Sequence, residues 1–390
     1  MENFRFYAPT YFCFGDDSET NIGELVERFG GSKVLLHYGG GSVKRNGVYD
    51  KVVAALNQTS IPFVELGGVM PNPRSGLVYE GIELCRRENV DFVLAVGGGS
   101  VIDSAKAIAL GAVYDGDFWD FYKNSMPVGK ALPVGTVLTI AAAGSEGSPD
   151  TVITHEDGML KRGASGEALR PRFSVLNPLF YCTLPAYQTA CGITDIMVHV
   201  CERYFTNTKD VEITDRLCEG VLKAMIEESP KVLADLNNYQ ARANVMWSGM
   251  VAHNNIVGVG RSQDWASHKI EHELSALYDV AHGAGLAVIM PAWMKYVMHH
   301  DINRFAQFAV RVWDCDMNFA NPEITALEGI TRFQNFLISL GMPSNFKELG
   351  AKEEDIPKMV KIMGVTDESK IGGFVKLGPA DVEAIYRLAL

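Results

Sequence analysis

The sequence predicts an α/β domain built on a parallel sheet, followed by an all-helical domain. Three observations carry that expectation. Short apolar runs alternate with helix-like stretches through the first half, as in βαβ units. Two of these runs end in the same tetrapeptide, Gly-Gly-Gly-Ser, at 39–42 and 97–100. From Pro185 onward the chain has few β-branched runs and reads as helix.

Taken in order, Val34–Tyr38 is a short apolar strand, and a helix is expected from about Gly47 to Asn57. Phe63–Leu66 reads as the next strand. Pro71-Asn72-Pro73 then breaks the chain ahead of a helix over Gly76–Glu88. Phe92–Val96 is a buried strand followed by a helix over Val101–Gly111. Thr136–Ile140, Asp150–Thr154 and Phe173–Leu176 complete the strands. Ala186 to Phe205 opens the helical part. The boundary is placed so that residues 1–185 form the α/β domain and 186–390 the all-helical one.

A chain of 390 residues is too long for one ordinary core. With 47% hydrophobic and 21% charged residues it reads as a folded globular protein. Its net charge of −12 argues against nucleic acid or an anionic membrane as the main partner. No stretch offers about 18 uninterrupted apolar residues, so no membrane-spanning helix is expected. The 7 cysteines follow no CxxC spacing. They read as free thiols in a reducing cytoplasm, and the N-terminus lacks the pattern of a signal peptide.

Neither glycine loop is a GxGxxG fingerprint or a P-loop. Three glycines after a strand still let backbone N–H groups approach a phosphate beside a helix N-terminus. Two such loops at successive strand ends point to a dinucleotide and a Rossmann-like domain, with a tight βα turn as the bland alternative. The first loop carries no acid for the adenine ribose, and Lys44 and Arg45 follow it. That favours NADPH over NADH. After the second loop, Asp103 and Lys106 lie in the first turns of a helix, where Asp is also a routine choice for the dipole.

The helical half supplies metal-ligand types. Asp195 and His199 are four apart, on one helix face. His268 and His272 share another face, and His282 precedes Gly283-Ala284-Gly285. Asp195, His199, His268 and His282 would give a divalent ion four ligands. Chance i,i+4 pairs are the alternative. His37, His155, His253, His299 and His300 are set aside as structural or surface residues. His268-Lys269-Ile270-Glu271-His272 also matches H-x-x-E-H, an inverted zinc-protease motif with Glu271 as general base. That reading leaves both glycine loops and the Asp195/His199 pair without a role.

These segments together resemble the iron-containing (group III) alcohol dehydrogenase family, in its butanol dehydrogenase and NADPH-dependent aldehyde reductase branch. The matching stretches are FRFYAPTYFCFG, YGGGSVKRNGVYD, the Pro-Asn-Pro at 71–73, LAVGGGSVIDSAK, AGSE at 143–146, TLP at 183–185, GITDIMVHVCERY and QDWASHKIEHELSALYDVAHGAGLAVIMPAWMKY. The resemblance implies a dehydroquinate synthase-like architecture, with Asp195, His199, His268 and His282 as ligands to Fe²⁺ or alternatively Zn²⁺. It implies that Gly40, Gly41 and Ser42 lie at the adenosine end of the cofactor. Asn72, Gly98, Gly99, Ser100, Asp103, Thr139 and Lys161 would line the rest, and His272 would relay a proton. Ala143 departs from the family's usual Thr and removes one hydroxyl. The implied reaction interconverts small aliphatic aldehydes and primary alcohols, and the implied assembly is a homodimer, in which the apolar stretch Phe4 to Phe14 could pair. A metal- and NAD-dependent lyase of the dehydroquinate synthase type is the rival within the architecture. It would need several Lys and Arg converging on a phosphorylated substrate.

Overall fold

The computed structural model describes residues 1–390. By its internal packing the chain divides into two units. One comprises Tyr7–Leu184 with Leu236–Met250, and the other Met1–Phe6, Pro185–Asp235 and Val251–Leu390.

The first unit holds a six-stranded sheet and a separate two-stranded ribbon. The strands are β1 (Tyr11–Phe14), β2 (Val34–Gly39), β3 (Phe63–Val69), β4 (Phe92–Gly97), β5 (Val134–Leu138), β6 (Asp150–His155), β7 (Leu160–Ser165) and β8 (Phe173–Leu176). Three helices of this unit matter below: α1 (Val48–Gln58), α2 (Ser75–Glu88) and α3 (Gly99–Ala112). The large sheet runs β1-β8-β5-β4-β2-β3, every neighbouring pair parallel. β4 and β5 are buried along their whole length, as continuous apolar runs in a doubly covered parallel sheet must be. Beyond β3 the chain crosses back past β2 to form β4, so the strand order reverses between β2 and β4.

Two strands escape the hydrophobic pattern. β1 is a four-residue edge strand whose partner β8 lies far along the chain, with Tyr11 opposite Phe173. β7, with sequence LKRGAS, is too polar to read as a strand and is fixed by antiparallel pairing with β6. The strand expected at Thr136–Ile140 sits at Val134–Leu138, and the Thr139 backbone N–H caps it by donating to Gly97 O at 3.0 Å.

His37 shows how fully the sheet is dried. It lies in β2 with no exposed surface, Nδ1 2.8 Å from Leu66 O and Nε2 2.9 Å from Ser104 Oγ. Burial lowers its pKa to about 4, opposed only in part by the Leu66 contact. Between pH 6.5 and about 4 the unfolded chain binds a proton there that the native state refuses. Stability is therefore expected to fall with pH across that window, by about 3 kcal/mol at its acid end. Urea unfolding of wild type and His37→Gln from pH 7 to 4 checks this. Parallel pH profiles for the two proteins would refute it.

The second unit is helical: α4 (Ala186–Tyr204), α5 (Glu212–Ala234), α7 (Ala266–Tyr278), α8 (His282–Val297) and further helices to Leu388, with α6 (Tyr239–His253) between α5 and α7. Most of α6 belongs to the first unit, a correction to a single helical domain spanning 186–390. The reason is aromatic packing. Trp247 meets Phe12 and Phe14 edge-on, at centroid distances of 5.8 and 5.7 Å, and the Arg242 guanidinium lies 4.1 Å over Tyr181. Within the helical unit α4, α7 and α8 pack together. A Cβ on Gly283 would lie 2.0 Å from Cys191 O, so only glycine lets α8 lie directly on the α4 backbone.

Candidate metal and dinucleotide sites

In the helical unit, Asp195 and His199 project from α4, His268 from the first turn of α7, and His282 is the first residue of α8. Asp195 Oδ1 is the hub. It lies 3.5 Å from His199 Nδ1, 3.5 Å from His268 Nε2 and 3.8 Å from His282 Nε2. Ligand atoms about 2.1 Å from a tetrahedral ion stand roughly 3.4 Å apart, so these spacings fit one divalent cation. The ligand atoms of Asp195, His268 and His282 all lie within 4.8 Å of one another. His199 stands beside that set rather than inside it, its ring stacked on His268 at 4.5 Å.

Asp195 Oδ1, His199 Nδ1 and His268 Nε2 are buried and have no hydrogen-bond partner. Orphaned buried polar atoms are rare and costly, and those of Asp195 and His268, next to His282, suit a cation. Burial pushes the His199 pKa well below its usual range, with His253 and His268 adding to it. Burial works against the charged form of His268 too, but Glu202 and Asp195 outweigh it and raise that ring to about 10.

Behind these side chains stand two carboxylates, of which the spacing argument did not include Glu202. Glu202 Oε2 is 2.5 Å from His268 Nδ1, and Glu271 Oε2 is bonded to His282 Nδ1. Neither glutamate side chain is exposed. Glu202 is seven residues past Asp195 on the same buried helix face, which was the available signal. Glu271 is the acid of the H-x-x-E-H motif, and its engagement with His282 and Ser275 removes it from service as a protease base. His272 is near Glu271 and His282, its ring 5.8 Å from that of His282. Arg203 adds a cation that the sequence reading overlooked, but its guanidinium is committed to His199 O, His253 Nδ1 and the Trp265 face.

In the sheet unit, the two glycine loops leave the carboxyl ends of adjacent strands at the same level, with Tyr38 of β2 opposite Val96 of β4. This is the point where the strand order reverses, the usual ligand position of an open parallel sheet. Gly41 has φ +102°, and a Cβ on Gly40 would meet no atom within 4 Å. The protein's own packing therefore does not require glycine at 40, whereas close approach of a phosphate does. Ser42 starts a short helix, and Gly99 and Ser100 open α3 behind Gly98. Gly99 is crowded by the Ala143 methyl group, 3.2 Å from a would-be Cβ.

Asn72 and Lys161 are brought together, Lys161 Nζ donating to Asn72 Oδ1 at 3.0 Å. Thr139 is buried at the end of β5. Asp103 accepts from Ser145 Oγ at 2.6 Å and from the Val152 backbone N–H at 3.0 Å. Buried Lys106 donates to Ser145 O, Ser148 O and Asp150 O. These two residues thus pin the 145–152 segment against α3. Beside the first loop, Glu65 of β3 accepts from Tyr38, Tyr49 and Lys44.

Residues 9–178 match the iron-containing alcohol dehydrogenase family, and residues 189–390 match the C-terminal domain of the Fe-containing alcohol dehydrogenase family. The chain is 43% identical to the probable NADH-dependent butanol dehydrogenase 2 of Bacillus subtilis, over 100% of both chains. It is 37% identical to the NADPH-dependent aldehyde reductase YqhD of Escherichia coli, over 93% of this chain and 92% of that one. The crystal structure of NADH-dependent butanol dehydrogenase A from Thermotoga maritima superposes with a TM-score of 0.96 at 42% identity, covering 100% and 99% of the two chains. The chain belongs to the iron-containing alcohol dehydrogenase family and is a metal- and nicotinamide-dependent oxidoreductase that interconverts alcohols and aldehydes.

Proposed function

We propose that this enzyme reduces small, uncharged aliphatic aldehydes to primary alcohols and runs the reverse oxidation, with Fe²⁺ as resident ion (Zn²⁺ the alternative) and NADPH as hydride donor. The observation that carries the reading is the convergence of Asp195, His268 and His282, with His199 Nδ1 3.5 Å from Asp195 Oδ1 beside them. When bound, a divalent ion supplies Lewis acidity to the substrate oxygen. The chain's own part is to hold and shield. Asp195 contributes the one first-sphere charge, and three neutral imidazoles complete the set. His272 passes the proton to the product. Backbone N–H groups of Gly40, Gly41, Gly98 and Gly99, with Ser42 and Ser100, hold the cofactor phosphates. Asn72, Thr139 and Lys161 orient the rest, and Asp103 holds the 145–152 segment against α3.

The choice of NADPH rests on the absence of an acid between Gly39 and Ser42, and on Glu65 being already occupied by three donors. NADH is the second reading, favoured by the names of the relatives from Bacillus subtilis and Thermotoga maritima. A homodimer is proposed through the free edge at β1, where Tyr11, Phe14 and Trp247 are each more than 40% exposed. A reducing cytoplasm suits its seven free cysteines, and no helix is long and apolar enough to cross a membrane.

The test is an anaerobic assay of butyraldehyde reduction on chelator-stripped protein, restored with Fe²⁺ or Zn²⁺ and supplied with NADPH or NADH. Metal-dependent oxidation of NADPH in preference to NADH is the expected result. Turnover with NADH alone would overturn the cofactor choice. No turnover with either, across a series of short aldehydes, would overturn the substrate class.

A further inference from the structure

We infer that Glu202 and Glu271 are positioning residues that fix the tautomer and orientation of two metal-ligand imidazoles. The inference rests on the metal-site reading above and adds what sets its strength. His268 and His282 come from different helices, yet they are arranged alike. In each, Nδ1 faces a fully buried glutamate and Nε2 faces Asp195 Oδ1. The contact is a hydrogen bond for His282 and an ion-pair contact of 2.5 Å for His268. Because a carboxylate can only accept, each favours the tautomer with its proton on Nδ1 and leaves the Nε2 lone pair for the ion.

Each glutamate is itself held. Glu202 Oε1 accepts from Ser267 Oγ at 2.5 Å and from the His268 backbone N–H at 3.1 Å. Glu271 Oε1 accepts from Ser275 Oγ. Gly285 makes the room, since a Cβ there would lie 2.5 Å from Glu271 Oε1.

Charge accounting points the same way. Asp195 alone with a divalent ion leaves one net positive charge. Adding two buried glutamates turns that into one net negative charge. All three carboxylates are buried, and a divalent ion offsets the negative charge they carry. The arrangement therefore favours tight retention of the ion over maximal acidity. His199 has no such carboxylate behind it, so the support falls on the two imidazoles of α7 and α8.

The experiment measures affinity of metal-free protein for Zn²⁺ by competition with a chromophoric chelator. Glu202→Gln and Glu271→Gln are each expected to bind about 10–100-fold more weakly than wild type. Ser267→Ala and Ser275→Ala, which take one hydroxyl from each glutamate and leave its charge, are expected to weaken binding several-fold. They keep the test open if a glutamine variant does not fold. In ¹⁵N NMR of Zn²⁺-loaded protein, both rings should carry their proton on Nδ1. Wild-type affinity in the folded variants, or coordination through Nδ1 in either ring, overturns the inference. Failure of wild type itself to bind Zn²⁺ would instead overturn the metal-site reading.

Discussion

Asp195→Asn is expected to lower turnover by about a thousandfold and to leave purified protein nearly free of metal. Asparagine has the same shape, so packing in α4 is unchanged. What disappears is the charge on the atom that stands 3.5, 3.5 and 3.8 Å from the three imidazole nitrogens. The ion then faces neutral donors only in its first sphere. Lewis-acid stabilisation is worth several kcal/mol, and about 4 kcal/mol corresponds to three decades in rate. Metal content by mass spectrometry and kcat are read on the same samples. Unfolding of the metal-free proteins supplies the control. In the metal-free protein burial works against the Asp195 carboxylate, but His282 and His268 outweigh it and hold its pKa below the usual range. Near neutral pH the metal-free variant should therefore be less stable than wild type. A variant that keeps both its metal and its rate would show that Asp195 is not a ligand.

Gly283→Ala is expected to cost about 3 kcal/mol or more of stability, and to lose metal as well. The added methyl group would lie 2.0 Å from Cys191 O and 2.6 Å from Cys191 C. Those are backbone atoms inside α4, so no rotamer change relieves the clash. The helices must part, and the separation falls one turn before Asp195 on one side and next to His282 on the other. Denaturant unfolding of metal-free protein measures the first effect, and Zn²⁺ affinity the second. Unchanged stability would mean that α4 and α8 do not touch along this line.

How much of this was legible in the sequence depends on how local each feature is. β2 and β4 are continuous apolar runs ended by glycines, and they lie where those runs stand. The i,i+4 spacing of Asp195 and His199 is a property of a single helix and survives into the structure. β7 has no hydrophobic alternation and exists only through β6. Residues 236–250 read as one more helix, but Trp247 and Arg242 carry them to the other unit. Glu202 and Glu271 were in view as letters. Glu271 matches the acid of a short motif that leaves the glycine loops without a role, and its partner His282 lies on the next helix. A motif fixes spacing along the chain, whereas a hydrogen bond is fixed by which helices meet.

The pairing of Tyr11 with Phe173 has a consequence for how the chain is made. Ribosomes add roughly 5–20 residues per second, so the first strand waits roughly ten to thirty seconds for its only partner to emerge. Trp247, which covers Phe12 and Phe14, comes later still. Throughout that interval an aromatic strand with unpaired backbone is exposed to every neighbouring nascent chain, the situation in which strands aggregate. Yield in a cell is thus set partly by the wait of four residues at the start, and slowing synthesis between β1 and α6 would lengthen the hazard.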